Sequence, residues 1–295
     1  MQPFAFLESV ISRGLGPDDH VGRLAALVTG DLERAARHLA GSTAPVVIVT
    51  GPPVATPDGP VPETDGLLGA LSLASTLAAS GRAVRFAADP GLAPSLQGLG
   101  ATTGVDASVV AVAARGDGHG LFPEDSGFDV VCVGRAQGTG SGPGLGSGAR
   151  SPTGGLAPLD QLVRRGGGGR SIAVARGPHD AGMGRIPAAL LAEMGPPSPA
   201  EGTVAPCDDL IVSGASCWGA WALTAGIGLA DTRLVDAATH ALTPAFVSAA
   251  CERAHRLGAR DRTGGDHPAR MAGVDWDAHL AMLAAIGHLL DPRLR

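Results

Sequence analysis

The feature that most constrains the fold is an alternation of short apolar runs with segments of helical periodicity. The first run, Val46–Thr50, is β-branched and is followed by a glycine and two prolines, so it predicts a buried strand that ends there. A helix is predicted from Leu67 onwards, with Asp65 as its N-cap and Gly81 as its C-terminal stop. Further apolar runs predict strands at 83–88, 108–113, 129–133, 171–175 and 210–213.

Strands that alternate with helices favour an α/β fold, in which a mostly parallel sheet is flanked by helices. Helices are also predicted near the two ends of the chain, at 31–39, 244–257 and 277–290. The 295 residues are enough for one large domain or two smaller ones. We expect a single domain over residues 1–295, with the site between two lobes if the fold is divided.

Composition excludes several functional classes. The net charge is −6, aromatic residues make up only 3% and no basic block is present, so we expect no nucleic-acid partner. No apolar stretch approaches the length of a membrane span, so we expect no membrane partner. The four cysteines lack disulfide-framework or metal-ligand spacing, which is typical of a reduced, cytoplasmic protein. The oligomeric state is open, and a homo-oligomer is one option.

Residues 134–155 are the compositional outlier, with nine glycines in 22 positions. Such a segment buries too little apolar surface to order itself, so we predict a flexible surface loop. A phosphate cradle is the alternative, but the chain lacks a GxxxxGK[ST] motif, and the GxGxxG-like string at 144–149 does not directly follow a strand. We therefore expect no nucleotide cofactor.

Ligands of open α/β sheets bind beyond the carboxyl ends of the strands, so polar residues in strand-to-helix loops are the first candidates. The loop after the first strand carries Glu63 and Asp65 at the start of a helix. Two carboxylates there could bind a hard cation, or they could act as general acid and general base. The alternative is structural, because aspartate is a favoured N-cap and Glu63 would then be solvated.

A second loop contains Arg176, His179 and Asp180 after a predicted strand. His179 is suited to move a proton near neutral pH and Asp180 to act as a base or a ligand. Gly182 and Gly184 would let a small substrate approach the backbone. An ordinary structural His–Asp contact is the alternative, since no second histidine completes a metal motif.

The third loop carries Ser216 and Cys217 ahead of an apolar helix. A cysteine near a helix N-terminus could have a lowered pKa and act as a nucleophile. The alternative is that Cys217 is packed, as lone cysteines among small residues usually are.

Taken in order, these loops resemble the motifs of the D-glutamate cyclase family. The chain has that family's PETDG segment at 62–66, its APLD segment at 157–160, the Gly-Met-Gly end of its third motif at 182–184, and four of the five residues of its SNWGA turn at 216–220. Asp261 and Asp275 fall where aspartates are expected. No single motif is specific, but their order and spacing are, and they span nearly the whole chain.

The resemblance implies a lyase that closes D-glutamate into 5-oxo-D-proline with loss of water, acting on a small amino-acid-like substrate. It also implies that some relatives hold a divalent metal. For this chain we expect Mn²⁺ or Mg²⁺, with Asp65 and Asp180 as ligands. We expect the catalytic residues to be Asp180, His179, Glu63 and Asp65. We expect the substrate to contact Arg176, Ser216, Cys217, Gly182 and Gly184.

The chain departs from the family pattern at polar positions of the site. Arg176 replaces an aspartate, His179 an asparagine, Asp180 a glutamate and Cys217 an asparagine, and the glutamate expected next to Arg135 is missing. Moving a carboxylate by one methylene can cost roughly 10²-fold in rate. Two alternatives therefore stay open: a biosynthetic enzyme with another substrate on the same scaffold, and a non-catalytic ligand-binding homologue.

Overall fold

A computed structural model describes residues 2–14, 20–51, 53–105, 107–111, 127–135, 159, 162–163, 168–193, 204–261, 270–291 and 293. The predicted glycine-rich loop lies outside these residues, apart from Gly134 and Arg135. The predicted APLD segment lies outside them as well, apart from Leu159.

The strands are β1 (Val46–Thr50), β2 (Val54–Thr56), β3 (Gly59–Val61), β4 (Val84–Ala88), β5 (Ser108–Ala111), β6 (Phe128–Val133), β7 (Gly168–Ala175), β8 (Asp209–Val212), β9 (Arg270–Met271) and β10 (Val274–Asp275). The helices are α1 (Pro3–Ile11), α2 (His20–Ala26), α3 (Asp31–Gly41), α4 (Thr64–Ala79), α5 (Ala93–Thr103), α6 (Ala188–Glu193), α7 (Ser216–Ala230), α8 (Val235–Ala241), α9 (Pro244–Arg256) and α10 (Trp276–Gly287). Each predicted strand and helix is confirmed, with ends that shift by a few residues.

The central sheet contains six strands in the order β5-β4-β1-β6-β7-β8, and every neighbouring pair is parallel. Two small antiparallel hairpins, β2-β3 and β9-β10, lie outside it. Numbered by their position in the chain, the strands of the large sheet lie in the order 3-2-1-4-5-6. This is the doubly wound order, whose ligands bind where the strand order reverses, between the first and fourth strands. The predicted α/β fold with a mostly parallel sheet is confirmed.

Strand β1 lies in the middle of this sheet because both of its faces are apolar. All five of its residues are buried. Val46 and Ile48 face one core cluster, whereas Val47 and Val49 face the other. A continuous buried run of this kind is what a central parallel strand requires, since helices and loops cover the sheet on both sides.

The helices α3, α4 and α7 cover one face of the sheet. Helix α7 is the most buried, with every residue from Ser216 to Gly228 shielded from solvent. Helices α4 and α7 pack side by side through Gly69, where a methyl group would lie 2.7 Å from Ala220 Cβ. Because both helices begin at the carboxyl edge of the sheet, their first turns meet there.

The start of α4 differs from the prediction. The helix begins at Thr64, its N-cap position is occupied by Glu63, and no side chain caps it. Asp65 lies in its first turn, so the prediction that Asp65 caps this helix is wrong. The predicted stop is confirmed, because Gly81 adopts a left-handed φ of 81° just after the helix.

The opposite, amino edge of the sheet is held by buried ion pairs. Asp129 at the start of β6 accepts hydrogen bonds from Arg82 at 2.6 Å and from His38 at 2.8 Å. Asp209 at the start of β8 is fully buried and accepts a bond from Arg170 at 3.1 Å. These carboxylates serve the packing of strands and helices.

In the described part of the chain, no single helix is long and apolar enough to cross a membrane, although the bent pair Thr232–Ala241 and Pro244–Arg256 meets the criteria of length and composition together.

Candidate functional site at the carboxyl edge of the sheet

The strand order reverses between β1 and β6, and the carboxyl ends of these two strands lie side by side. Thr50, the last residue of β1, pairs with Val133, the last residue of β6. After β1 the chain passes to β4 on one side of it, and after β6 it continues to β7 on the other side. The loops that follow Thr50 and Val133 therefore diverge and leave a crevice, which is where ligands bind in folds of this order.

Glycines allow four segments to converge at this crevice. A methyl group on Gly66 in the first turn of α4 would lie 2.8 Å from the carbonyl oxygen of Val133. One on Gly134, which has a φ of 62°, would lie 2.5 Å from Ser216 Oγ at the start of α7. The ends of β1 and β6 and the starts of α4 and α7 are thus in contact, because no side chain separates them.

Glu63 lies inside this convergence. The residue is 5% exposed, and its Oε2 would be 2.7 Å from a methyl group placed on Gly51. The backbone on both sides of it is fixed, because Thr64 N donates to Arg260 O at 3.0 Å and Arg260 N donates to Pro62 O at 2.9 Å. A rigid backbone therefore directs the Glu63 carboxylate to the end of β1.

Asp65 points away from its own helix and caps α7. Its two carboxylate oxygens accept the backbone N–H groups of Ser216 at 3.0 Å and Cys217 at 2.8 Å. Anions are favoured at a helix N-terminus, since the first N–H groups there have no partner within the helix. Asp65 thus fixes the starts of α4 and α7 relative to each other.

The second predicted loop follows β7 at the same edge of the sheet. Asp180 is 9% exposed, and its Oδ2 accepts the backbone N–H groups of Arg176 at 2.7 Å and Gly177 at 2.9 Å. Ala181 N donates to Arg135 O at 2.8 Å, which joins this loop to the end of β6. His179 is half-buried. Asp180 therefore shapes the loop that carries the other polar side chains.

Arg176 is the polar side chain of this loop that remains available. It is half-buried and makes no side-chain hydrogen bond or ion pair with another described residue. Burial is the main reason that the pKa of the His279 imidazole is lowered, and the charge of Arg176 adds a smaller effect in the same direction, whereas the Asp65 carboxylate opposes it. The charges of Arg176 and of Asp65, in the first turn of α4, thus both act on His279.

The two predicted substrate-binding glycines have packing roles in the structure. A methyl group on Gly182 would lie 2.3 Å from Ala173 Cβ, and one on Gly184 would lie 2.1 Å from Val204 O. The backbone N–H groups of both glycines donate to Ala205 O, at 2.8 Å from Gly182 and at 3.3 Å from Gly184. Their missing side chains make room for the neighbouring strand and for the segment before β8.

Cys217 is fully buried at the start of α7. Burial and, secondarily, the Asp65 carboxylate raise the pKa of its thiol well above the ordinary value. A thiolate is therefore disfavoured, and the geometry supports the packed role rather than the nucleophile. Ser216, by contrast, directs its Oγ towards Gly134 in the crevice.

His279 is a central residue that the sequence did not single out. It is fully buried, and its Nε2 donates to Met271 O at 2.7 Å, so Nδ1 accepts the Trp218 indole N–H at 2.9 Å. Burial lowers the pKa of the imidazole, which favours the neutral form. The only hint in the sequence is a histidine within an apolar helix. His279 anchors the C-terminal helix α10 to the first turn of α7.

Of the two aspartates expected near the end of the chain, one is buried beside this network. Asp261 is 2% exposed and accepts the Ala272 N–H at 3.0 Å. Asp275 is exposed and forms an ion pair with Arg270 at 3.1 Å. Of these two aspartates, Asp261 is therefore the one that lies in the interior of the protein with His279.

Arg135 joins two strand ends across β1. It is 1% exposed and pairs with Asp89, just after β4, at 2.6 Å. Its guanidinium also lies 3.5 Å from Gly51 O. This positive charge is therefore buried between the ends of β1 and β4.

The predicted divalent metal has no complete donor set in the described part of the chain. No group of three or more His, Cys, Asp or Glu side chains there is placed to hold a metal ion. Asp65 and Asp180 each bind two backbone amides. The Asp65 and Asp180 carboxylates do not form the predicted metal site on their own, so the metal stays a prediction.

Comparison with known proteins agrees with the order of the motifs. The family described as D-glutamate cyclase-like, C-terminal matches residues 7–287. No curated protein matches the chain. Since the match covers nearly all of the sheet, its helices and the crevice, the chain belongs to the D-glutamate cyclase-like C-terminal family.

Proposed function

We propose that this protein is a lyase that closes D-glutamate, or a related acidic amino acid, into a cyclic amide with loss of water. The observation that carries the proposal is the pair formed by the buried Glu63 carboxylate and the available Arg176 guanidinium at one edge of the sheet. A carboxylate suits the amino group of such a substrate, and a guanidinium suits its carboxylate.

The spacing of the strands supports this pair. Thr50 pairs with Val133, and Val133 pairs with Val174 just before Arg176. Because neighbouring strands are about 4.8 Å apart, the ends of β1 and β7 are roughly 10 Å apart. The long Arg176 side chain and a five-carbon dicarboxylate can together bridge that distance.

In the proposed reaction, the substrate nitrogen attacks its own γ-carboxyl carbon. An N–C bond forms, one C–O bond of the γ-carboxylate breaks, and the two protons lost by the ammonium leave with that oxygen as water. Glu63 takes a proton from the ammonium, Arg176 orients and polarises the γ-carboxylate, and His179 protonates the leaving oxygen. Asp180 positions the loop through the amides of Arg176 and Gly177.

The test is incubation of the purified protein with millimolar D-glutamate, alone and with Mn²⁺ or Mg²⁺, followed by chromatography for 5-oxo-D-proline. Glu63→Gln should lower the rate by about 10²-fold or more, as removal of a general base does. Arg176→Gln should also lower the rate of product formation. Arg37→Gln is its matched control and should leave the rate unchanged, since Arg37 is an exposed arginine that pairs with Glu33. Absence of product under every condition would exclude D-glutamate as the substrate.

A redirected substrate is the second candidate, favoured by the positive charge of Arg176 at a position where the family pattern has an aspartate. Such a reversal would suit a substrate with an additional anionic group. A thermal-shift screen of acidic amino acids and their phosphorylated or acylated forms would identify it. Stabilisation without turnover would instead support a non-catalytic binding protein, for which a ligand at 100 times its Kd adds about 2.7 kcal/mol.

A further inference from the structure

All three tryptophans of the chain surround one buried histidine. The ring centroids of Trp218, Trp276 and Trp221 lie 5.6, 6.1 and 6.4 Å from that of His279. Trp218 and Trp221 belong to α7, whereas Trp276 and His279 belong to α10. This imidazole is therefore the point at which the C-terminal helix meets α7.

The partners of the two ring nitrogens of His279 fit only the neutral imidazole. A carbonyl oxygen can only accept, so Nε2 carries the proton and donates to Met271 O at 2.7 Å. An indole N–H can only donate, so Nδ1 carries no proton and accepts from Trp218 Nε1 at 2.9 Å. In an imidazolium both nitrogens donate, and a proton on Nδ1 would point at the indole N–H. Protonation therefore breaks the bond between α10 and α7, while the bond to Met271 remains.

The titratable groups that face the ring come from four other parts of the fold. Burial is the largest influence and lowers the pKa of His279, and the charge of Arg176, after β7, acts in the same direction. The hydrogen bond to the hairpin carbonyl opposes this effect, as do the carboxylates of Asp65 in α4 and Asp261 before β9. From α7, Cys217 Sγ lies 3.7 Å from Nδ1. Acid is therefore needed to protonate the ring, and two carboxylates lie near enough to favour its charged form.

The sign of the pH effect follows from the direction of this shift. The pKa of His279 is lower in the folded protein than in the unfolded chain, so the unfolded chain takes up the proton first as the pH falls. The stability that the neutral ring contributes is thus complete above the pKa of the unfolded chain. It is lost as the pH falls from there towards the lower folded value.

We propose that His279 is an acid-sensitive latch between α10 and α7, closed when the ring is neutral and open when it is protonated. The turn that it holds is the one that Asp65 caps, since Trp218 directly follows Ser216 and Cys217. Opening of the latch therefore loosens the start of α7 at the carboxyl edge of the sheet. The inference goes beyond the proposed function, because the latch works without a substrate.

Tryptophan fluorescence of the folded protein, recorded as the pH is lowered from 8, tests the latch. The chain contains three tryptophans and no tyrosine, so its emission reports on the surroundings of His279. Release of α7 admits water to the indoles, and the emission maximum should move to longer wavelength in a one-proton step. Because burial lowers the pKa of the ring, the step should come below the ordinary pKa of an imidazole. The far-ultraviolet circular dichroism should still be that of the folded chain.

Three variants assign the step to the latch. His279→Gln can accept from Trp218 and donate to Met271 but cannot be protonated, so the step should disappear. His288→Gln is the matched control and should retain the step, since His288 is an exposed histidine just after α10. Trp218→Phe removes the indole N–H that favours the neutral ring, so the emission of the other two tryptophans should change at a higher pH.

Several results would overturn the proposal. A step that persists in His279→Gln would belong to another group, and a step that coincides with loss of the circular dichroism signal would be unfolding of the whole chain. Loss of intensity without a wavelength shift would mean that the ring takes up a proton without releasing α7. The absence of any step before unfolding would count equally against it. If His279→Gln does not fold, a step at the same or a lower pH in Trp218→Phe would overturn the latch.

Discussion

The backbone N–H of Cys217 donates to Asp65 Oδ1 at 2.8 Å, so a carboxylate in the first turn of α4 caps the neighbouring helix α7. Ser216 donates to the other oxygen at 3.0 Å. Both donors are buried, and neither has an alternative partner within its helix. The bonded residues are far apart in the chain, because Ser216 follows Asp65 by 151 positions and Cys217 follows it by 152.

Removing this cap should destabilise the protein. Asp65→Ala leaves two buried N–H groups without an acceptor, for which we expect a loss of about 3 kcal/mol in the free energy of unfolding. Urea unfolding followed by circular dichroism measures it. Asp65→Asn is the control, since its amide oxygen still accepts one bond and should retain part of the stability. An Asp65→Ala protein as stable as the wild type would contradict the capping role.

Acid should destabilise the protein through Asp129. Burial opposes its ionisation, but hydrogen bonds from Arg170 N, His38 and Arg82 outweigh that effect and lower its pKa from the ordinary value of an aspartate. A carboxyl whose pKa is lowered by folding contributes stability that is fully present above the pKa of the unfolded chain. That stability is lost as the pH falls through the lower folded value.

Urea unfolding of the wild type and Asp129→Asn between pH 7 and pH 2 tests this prediction. At pH 7 the variant should be less stable by about 3 kcal/mol, because Arg82 loses a buried partner. The difference between the two proteins should shrink as the pH falls below 4. A constant difference over the whole range would show that ionisation of Asp129 does not contribute.

Two helical glycines should respond in opposite directions to alanine. The methyl group of Gly66→Ala would lie 2.8 Å from the backbone oxygen of Val133, so we expect a loss of about 1–3 kcal/mol and a distorted crevice. Gly98→Ala, in α5, would place its methyl group 3.5 Å from Leu257, an ordinary contact. That variant should gain up to about 1 kcal/mol in helix propensity. Thermal unfolding measures both, and similar shifts would contradict the close approach at Gly66.

The thiols of the folded protein should react slowly. Burial raises the pKa of Cys207 to about 12 and that of Cys251 to about 11, and it also raises the pKa of Cys217 well above its ordinary value. Alkylation by iodoacetamide at pH 8 should therefore be at least about tenfold slower than in the urea-unfolded chain, because the thiolate is the reactive form. Mass spectrometry identifies the labelled residues. Rapid labelling of Cys217 in the folded protein would restore it as a candidate nucleophile.

The sequence was sufficient to predict the strands and a mostly parallel sheet, because the strands are short apolar runs, but the order of the strands in the sheet was not predicted. The strand predicted at Val46–Thr50 matches the structure residue for residue. Asp65 was predicted to cap the wrong helix. The preference for aspartate at an N-cap indicates that such a residue caps a helix, but not which helix it caps. His279 was missed because its partners, Trp218 and Met271, belong to other elements.

The central position of β1 also affects how the protein is made. Val46 pairs with Val84 on one side and with Asp129 on the other, and both partners follow it in the chain. The strand therefore leaves the ribosome well before either neighbour exists, and its apolar edges are open to other chains until β6 has been synthesised. Nascent chains that end before residue 128 should be the ones that most need a chaperone.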